Sequence, residues 1–318
     1  MTARVLVLGC GAVGAIYAVR MSRVADVAVL DVWAEHVAAI AARGLRVTVR
    51  TEAVNETLYA RPAAAATPAA LPPGPWSHVL VAVKGPDTRA AVRGLGGAAD
   101  GAVLLTVQNG LGNAEAIAAE SQAPVCQGVT MNAGELAGPG EIVQKEIGGT
   151  WLGPHRATAA DARRWGDLLH RAGMAADVLD DPRGAVWAKL IFNSAVNPLP
   201  VLTDLPLSGV YAHPDAYALL RTLVDEGKAV AAALGITLAA DPMAVIDEHR
   251  ALGETHTHHG SMKQDIARGR RTEIDTLAGA IVAEADRLGV PVPALRTVYR
   301  LVKAVEARTA PVPAERRL

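Results

Sequence analysis

The sequence predicts an α/β domain built on a parallel sheet, followed by an all-α domain. Three observations predict it. Close to the N-terminus a continuous apolar run, Val5–Leu8, opens directly into Gly9-Cys10-Gly11-Ala12-Val13-Gly14 and then into a segment of helical spacing. Apolar runs of strand length alternate with helical stretches as far as Asp180-Asp181-Pro182, and from Trp187 onward the apolar period is almost wholly helical. The boundaries this implies are 1–180 for the α/β domain, 181–310 for the helical domain and 311–318 for a loose tail.

A chain of 318 residues is long enough for two cores, and 51% hydrophobic with 20% charged residues is a globular composition. The 31 basic and 32 acidic residues leave a formal charge of -1, which argues against nucleic-acid or membrane-surface partners. Two cysteines, Cys10 and Cys126, make no disulfide framework and lack metal-ligand spacing, so they read as reduced thiols. Only five apolar or small residues separate Arg4 from Cys10, too short for a signal segment. No apolar run approaches the roughly 18 residues of a membrane span. The expectation is a soluble cytoplasmic protein.

Val5–Leu8 has the unbroken apolarity of a parallel strand buried on both faces. In the G-x-G-x-x-G that follows, Gly9 suits the tight turn, Gly11 close backbone approach to a pyrophosphate and Gly14 close helix–strand packing. The helix N-terminus adds free N–H groups and partial positive charge for the phosphates. The next strand, Val27–Leu30, ends in Asp31, about 20 residues after the first glycine, where a carboxylate bonds the adenosine ribose hydroxyls of NAD and repels a 2′-phosphate. This is a Rossmann-type arrangement, and a ligand-free glycine turn leaves Asp31 unexplained. The cofactor-binding residues are then Gly9, Cys10, Gly11, Ala12, Val13, Gly14 and Asp31. The cofactor favoured by Asp31 is NADH/NAD, with NADPH/NADP as the alternative.

After Asp31 a helix runs to Gly44, a strand pair is expected across Leu45–Tyr59, and Pro/Ala-rich Arg61–Trp76 reads as a loop with one helical turn. The strands His78–Val83 and Gly101–Val107 deliver Lys84 and Asn109 at their C-terminal ends, where doubly wound sheets bind ligands. Both are candidates to face nicotinamide and substrate. The plain alternatives are a solvated lysine and an ordinary Asn-Gly turn. Gln127–Gly153, rich in glycine and β-formers, reads as the far, antiparallel part of the sheet; Ala159–Ala172 reads as a helix and Asp180–Pro182 as a hinge.

In the helical domain, Trp187–Pro198 (WAKLIFNSAVNP) carries Lys189, Asn193 and Asn197 at i, i+4 and i+8, one stripe on an otherwise apolar helix. Such a stripe either faces solvent or lines a cleft, because a buried lysine and two amides need partners. Helices follow at Pro214–Leu234, Met243–Leu252, Ser261–Arg268, Thr272–Leu288 and Ala294–Arg308, with Thr272 and Asp275 spaced as a capping box. Thr255–His259 (THTHH) lacks an H-E-x-x-H frame and reads as a surface or substrate-adjacent turn, so no metal is expected.

Taken in order, GCGAVG, VAVKGPDT, QNGLGN, GVTMNAGELAGPGEI, WAKLIFNSAVNP and SMKQDIARGRRTEID resemble the ketopantoate reductase (2-dehydropantoate 2-reductase) family along nearly the whole chain. The last two are the most specific. The resemblance implies a Rossmann domain and a 6-phosphogluconate-dehydrogenase C-terminal-like helical domain, with the active site in the cleft between them. It implies Lys189 and Glu273 as catalytic residues, with Lys189 the general acid. Asn109, Asn193, Asn197 and Ser261 would bind substrate, and Lys84 and Asn109 would lie by the nicotinamide. Two departures stand out. Asp31 stands near the position where many members place an arginine for the 2′-phosphate, and DVWAEHV resembles NAD-preferring relatives. Gly260-Ser261-Met262 replaces the frequent Ser-Ser-Met.

The implied reaction is reduction of the 2-keto group of ketopantoate to (R)-pantoate, in pantothenate and coenzyme A biosynthesis. Lys189 would supply charge and a proton to the carbonyl oxygen, Ser261 would help bind the carboxylate end, and Glu273 would accept a hydrogen bond from the distal hydroxyl. Closure near Asp180 would assemble the site. The alternatives are a paralogous reductase of another 2-keto acid and, from another class, a non-catalytic dinucleotide-binding sensor. The apolar faces of the helical domain are compatible with a homodimer.

Overall fold

The computed structural model describes residues 2–51, 53–251 and 260–309. Contacts divide the chain into two compact units. The first takes in the chain up to Gln108 together with Gly112–Pro182; the second takes in Asn109–Leu111 and the chain from Arg183 onward.

The first unit begins with β1 (Ala3–Leu8), α1 (Ala12–Met21), β2 (Ala25–Leu30), α2 (Ala34–Arg43), β3 (Leu45–Arg50), β4 (Asn55–Ala60), β5 (Ala63–Ala65) and β6 (His78–Val81). It continues through α3 (Thr88–Leu95), β7 (Val103–Thr106), α4 (Asn113–Glu120), β8 (Val125–Thr130), β9 (Ala133–Gly138), β10 (Glu141–Glu146), β11 (Thr150–Arg156), α5 (Ala159–Arg171) and β12 (Ala176–Val178). Its main sheet has the strand order β12-β11-β8-β7-β6-β1-β2-β5, and the run from β8 to β5 is parallel throughout. The chain reverses its direction of progress between β1 and β6, the crevice in which such sheets bind ligands. The glycine loop leaves β1 there and the Lys84 segment leaves β6.

Two expectations for this unit are corrected. Arg61–Trp76 is not all loop: Ala63–Ala65 forms an edge strand beside β2, with a single 3-10 turn at Pro68–Ala70. Three alanines have weak strand propensity, so backbone pairing to β2 supplies what composition does not. Gln127–Gly153 does not form one sheet edge. β8 and β11 pair antiparallel in the main sheet, while β9 and β10 leave it as a hairpin for a second sheet of order β4-β3-β10-β9. There β3 and β4 form the expected strand pair, which is antiparallel, and β10 joins β3 in parallel.

Helix α1 packs against strands of both sheets. That explains its sequence, which is apolar around most of its circumference and is buried from Gly14 to Met21. Its polar groups are satisfied inside: Arg20 reaches Gln144 Oε1 at 3.4 Å, and the Tyr17 hydroxyl meets Thr150 Oγ1.

The second unit is helical: α6 (Arg183–Val196), α7 (Pro198–Thr203), α8 (Leu207–Ala212), α9 (Pro214–Ala233), α10 (Pro242–Ala251), α11 (Gly260–Ala267), α12 (Ala278–Leu288) and α13 (Pro293–Thr309). α6 packs on α9, α10 and α12 around Trp187, Leu190, Ile191, Leu223 and Val224. Gly227 permits the close approach of α9, since a Cβ there would lie 2.9 Å from Ile191. The helix expected over Thr272–Leu288 begins only at Ala278, and residues 272–277 form a tight turn. Thr255–His259 and the tail 311–318 lie outside the described residues. Among the described residues no helix is long and apolar enough to cross a membrane, and no three His, Cys, Asp or Glu side chains cluster as a metal site.

Candidate active site

In the first unit the glycine loop is shaped by contacts that side chains would block. Gly9 has φ +92, and a Cβ on it would lie 2.6 Å from the Val83 nitrogen; a Cβ on Gly14 would lie 2.0 Å from the Gly9 oxygen. Gly11 differs, because a Cβ there would meet nothing within 4 Å. Its own fold does not require a glycine at that point, whereas a pyrophosphate brought against the backbone does, so the loop fits a dinucleotide. Gly11 is the N-cap of α1 and has no side-chain cap, so the first N–H groups of the helix, from Ala12, Val13 and Gly14, remain for an anion.

Asp31 follows β2 and is half-buried beside this loop. Its Oδ2 accepts the Cys10 N–H at 2.7 Å and its Oδ1 accepts the Trp33 N–H at 2.9 Å. Lone pairs remain on both oxygens for ribose hydroxyls. Cys10 contributes to the loop from within: its N–H is engaged by Asp31, and burial, then Asp31, push its thiol pKa well above the ordinary value. Lys84 is exposed three residues beyond β6. Next to it, Gln108 donates to the Val83 carbonyl at 2.6 Å and to Thr88 Oγ1 at 2.8 Å, tying together the ends of β6 and β7.

In the second unit three of the residues singled out in sequence meet directly. Asn109 Nδ2 donates to Glu273 Oε2 at 3.3 Å, and Asn193 Nδ2 donates to Asn109 Oδ1 at 3.4 Å. These residues are 164 and 84 positions apart in sequence. The Asn109 turn is seated by Leu111, whose N–H donates to the Thr276 carbonyl at 2.9 Å, and by Gly110, which has φ +86 and no room for a Cβ against Thr276. Lys189, half-buried, lies one turn before buried Asn193 on α6. Asn197 lies one turn after it, its N–H bonded to the Asn193 carbonyl at 3.1 Å. A Cβ on Gly260 would sit 3.8 Å from Asn197 Oδ1, which brings the start of α11, with exposed Ser261, beside Asn197.

The turn carrying Glu273 is anchored to α13. Glu306 Oε1 accepts both the N–H and the hydroxyl of Thr272, and Asp275 accepts from Tyr299, Lys303 and Arg271. Burial alone would raise the carboxyl pKa values of Asp275 and Glu306, but these donors hold both below their ordinary values. The expected capping box is absent: Thr272 Oγ1 accepts the Ile274 N–H at 3.2 Å and not that of Asp275, its hydroxyl donates to Glu306, and the Asp275 carboxylate turns to α13. Sequence reading missed Gln108, Glu306 and His36. Only His36 carried a signal, a polar residue on the apolar face of α2.

A NAD(P)-dependent oxidoreductase acting on a keto acid is the class to which this architecture corresponds. The chain belongs to the ketopantoate reductase PanE/ApbA family, matching it over residues 5–157 and its C-terminal family over residues 181–306. It is 33% identical over 308 residues to the 2-dehydropantoate 2-reductase of Halobacterium salinarum, covering 95% of this chain and 99% of that one. It is 32% identical over 230 residues to the Archaeoglobus fulgidus 2-dehydropantoate 2-reductase, covering 72% and 76%. The crystal structure of a PanE/ApbA family ketopantoate reductase from Ralstonia eutropha JMP134 superposes with TM-score 0.84 at 33% identity, covering 96% of this chain and 99% of that one. D-mandelate dehydrogenase, solved with NADH and anilino(oxo)acetate, shares the fold with TM-score 0.86 at 24% identity, covering 96% and 99%.

Proposed function

We propose that this protein is a 2-dehydropantoate 2-reductase that prefers NADH. The observation that carries the reading is the Asn193–Asn109–Glu273 chain of contacts one helical turn from Lys189, in a chain of the ketopantoate reductase family. When bound, the reduced nicotinamide supplies hydride to the keto carbon. Lys189 stabilises the negative charge that grows on the carbonyl oxygen and donates the proton that completes the alcohol. Asn193 and Asn197 orient substrate and Lys189 from one helix face, and Ser261 helps to hold the carboxylate. Glu273, already an acceptor for Asn109, accepts the hydroxyl that distinguishes ketopantoate from a simple 2-keto acid. Gly9–Gly14 takes the pyrophosphate and Asp31 the ribose diol, with Lys84 and Asn109 beside the nicotinamide. Asp31 supports NADH because a 2′-phosphate would meet its charge.

Initial rates with ketopantoate and either NADH or NADPH test this directly. Turnover with NADH well above NADPH is expected; a preference for NADPH overturns the cofactor assignment, and no turnover with either overturns the substrate.

A second reading, a reductase of another 2-keto acid, is favoured by Gly260. Its φ is +74, a conformation that disfavours serine, and Gly260-Ser261-Met262 stands where the family resemblance implies Ser-Ser-Met, so one hydroxyl is missing beside Asn197. Glu273→Ala separates the two readings. Loss on ketopantoate far greater than on a keto acid lacking the hydroxyl supports the first, and equal loss on both supports the second.

A further inference from the structure

Cys10, the residue between the first two glycines of the loop, has both of its backbone polar groups held by side chains from one short segment. Asp31 takes its N–H, and His36 Nε2 lies 2.9 Å from its carbonyl oxygen. The Gly140 N–H, in the turn between β9 and β10, points at His36 Nδ1 at 3.0 Å. An N–H can only donate, so Nδ1 must be the unprotonated nitrogen and Nε2 must carry the proton it gives to Cys10. His36 is therefore neutral with its tautomer set. Trp33 stacks on its ring at 5.1 Å and 7°, and burial lowers the imidazole pKa against the opposing influence of Asp31 and the Cys10 carbonyl.

The direction of the Cys10 carbonyl has a consequence one atom further on. The Cys10–Gly11 peptide is planar and trans, so a carbonyl drawn toward His36 turns the Gly11 N–H the opposite way. Gly11 is the residue whose missing side chain leaves open space, where the dinucleotide reading puts the pyrophosphate. We propose that His36 is a positioning residue: clamping the Cys10 carbonyl, it aims the Gly11 N–H at the cofactor phosphates, while Asp31 holds the other end of Cys10. The proposal rests on the dinucleotide reading of Gly9–Gly14. It also makes Asp31 structural as well as selective, so that removing its charge loosens the loop and does not simply admit NADPH.

The test is NADH affinity by fluorescence titration of the full chain, with steady-state kinetics and thermal unfolding alongside. In His36→Asn the amide oxygen still accepts from Gly140, but the side chain is too short to reach Cys10. NADH Kd is expected to rise about tenfold, which is about 1.4 kcal/mol, with the loss appearing in the KM for NADH and not in kcat. His36→Gln, whose amide nitrogen reaches further, should recover most of the affinity. A folded His36→Asn protein with Kd within twofold of wild type overturns the clamp; so does an equal loss in both variants that tracks a fall in Tm. Histidine 15N NMR of the unmodified protein gives a reading independent of variant folding. A neutral Nε2–H tautomer at pH 7 is expected, and an Nδ1–H tautomer or an imidazolium overturns the proposal. Wild-type protein that binds neither NADH nor NADPH overturns the dinucleotide reading itself, whatever the tautomer.

Discussion

Lys189, Asn193 and Asn197 share one face of α6 because 3.6 residues make a turn, and that face meets Asn109, which in turn donates to Glu273, while α6 is packed into the helical core on its other sides. Half-burial fits the proposed role of Lys189 as an acid, because the charge is held where water competes less. Lys189→Ala is expected to lower kcat by roughly 10²–10⁴-fold and to leave NADH affinity near the wild-type value. Turnover within a few-fold of wild type would remove Lys189 from the mechanism. The i, i+4, i+8 pattern of this stripe was legible without a structure. The choice between a solvated stripe and an engaged one was not, because it depends on Asn109, which lies 84 positions away.

The element that holds Glu273 shows the limit of local patterns. Thr272 and Asp275 have the spacing of a capping box, yet Thr272 Oγ1 accepts the N–H of Ile274 in place of Asp275, and its hydroxyl and the Asp275 carboxylate are engaged by α13. Glu306 satisfies Thr272 twice, and Lys303 bridges Asp275 and Glu306 with ion pairs of 2.9 and 2.8 Å. With Thr272 and Asp275 turned to α13, the 272–277 segment stays a turn and α12 starts late. The Asn109 turn docks on that segment through Gly110. Gly110→Ala puts a Cβ 2.4 Å from the Thr276 oxygen at a φ that disfavours alanine, so it should displace Asn109 from Glu273. We expect at least a tenfold rise in KM for the keto acid, larger than any accompanying loss of NADH affinity, measured by initial rates and fluorescence titration. Unchanged KM would show that the turn's seating does not govern substrate binding.

At the scale of the whole molecule, buried imidazoles set how the fold responds to acid. His78 opens β6, packs edge-to-face on Trp165 at 4.8 Å, and is pushed down to about 4 by burial first and then by the nearby Arg164. Its ordinary value is 6.5. Between those values the unfolded chain binds a proton that the native protein does not, so stability falls as pH drops from about 6.5 to about 4. His36 acts in the same direction. Asp275 and Glu306 act in a lower window: their depressed values contribute stability above the ordinary carboxylate range that is lost below it. Urea unfolding should therefore show His78 costing about 2 kcal/mol between pH 7.5 and pH 5, and His78→Phe should remove most of that difference. An equal pH dependence in the variant would exclude His78 as its source.

The sequence by itself determined the features whose physical cause is local. A buried strand needs an unbroken apolar run, a glycine loop needs residues without a Cβ, and a helix face repeats every three to four positions. These made β1, the Gly9–Gly14 loop, Asp31, the α6 stripe and the two-part α/β-then-α order readable from residues alone. Tertiary structure decided what depends on partners distant in the chain. Three alanines became a strand because β2 offered an edge, and β9 and β10 left the main sheet because β3 offered another. Thr272 gave its hydroxyl proton to Glu306, and His36 became a donor to the Gly9–Gly14 loop because Gly140, 104 residues further on, set its tautomer. Backbone and side-chain hydrogen-bonding groups must be satisfied on burial, but which partner satisfies them is settled only when the chain has folded.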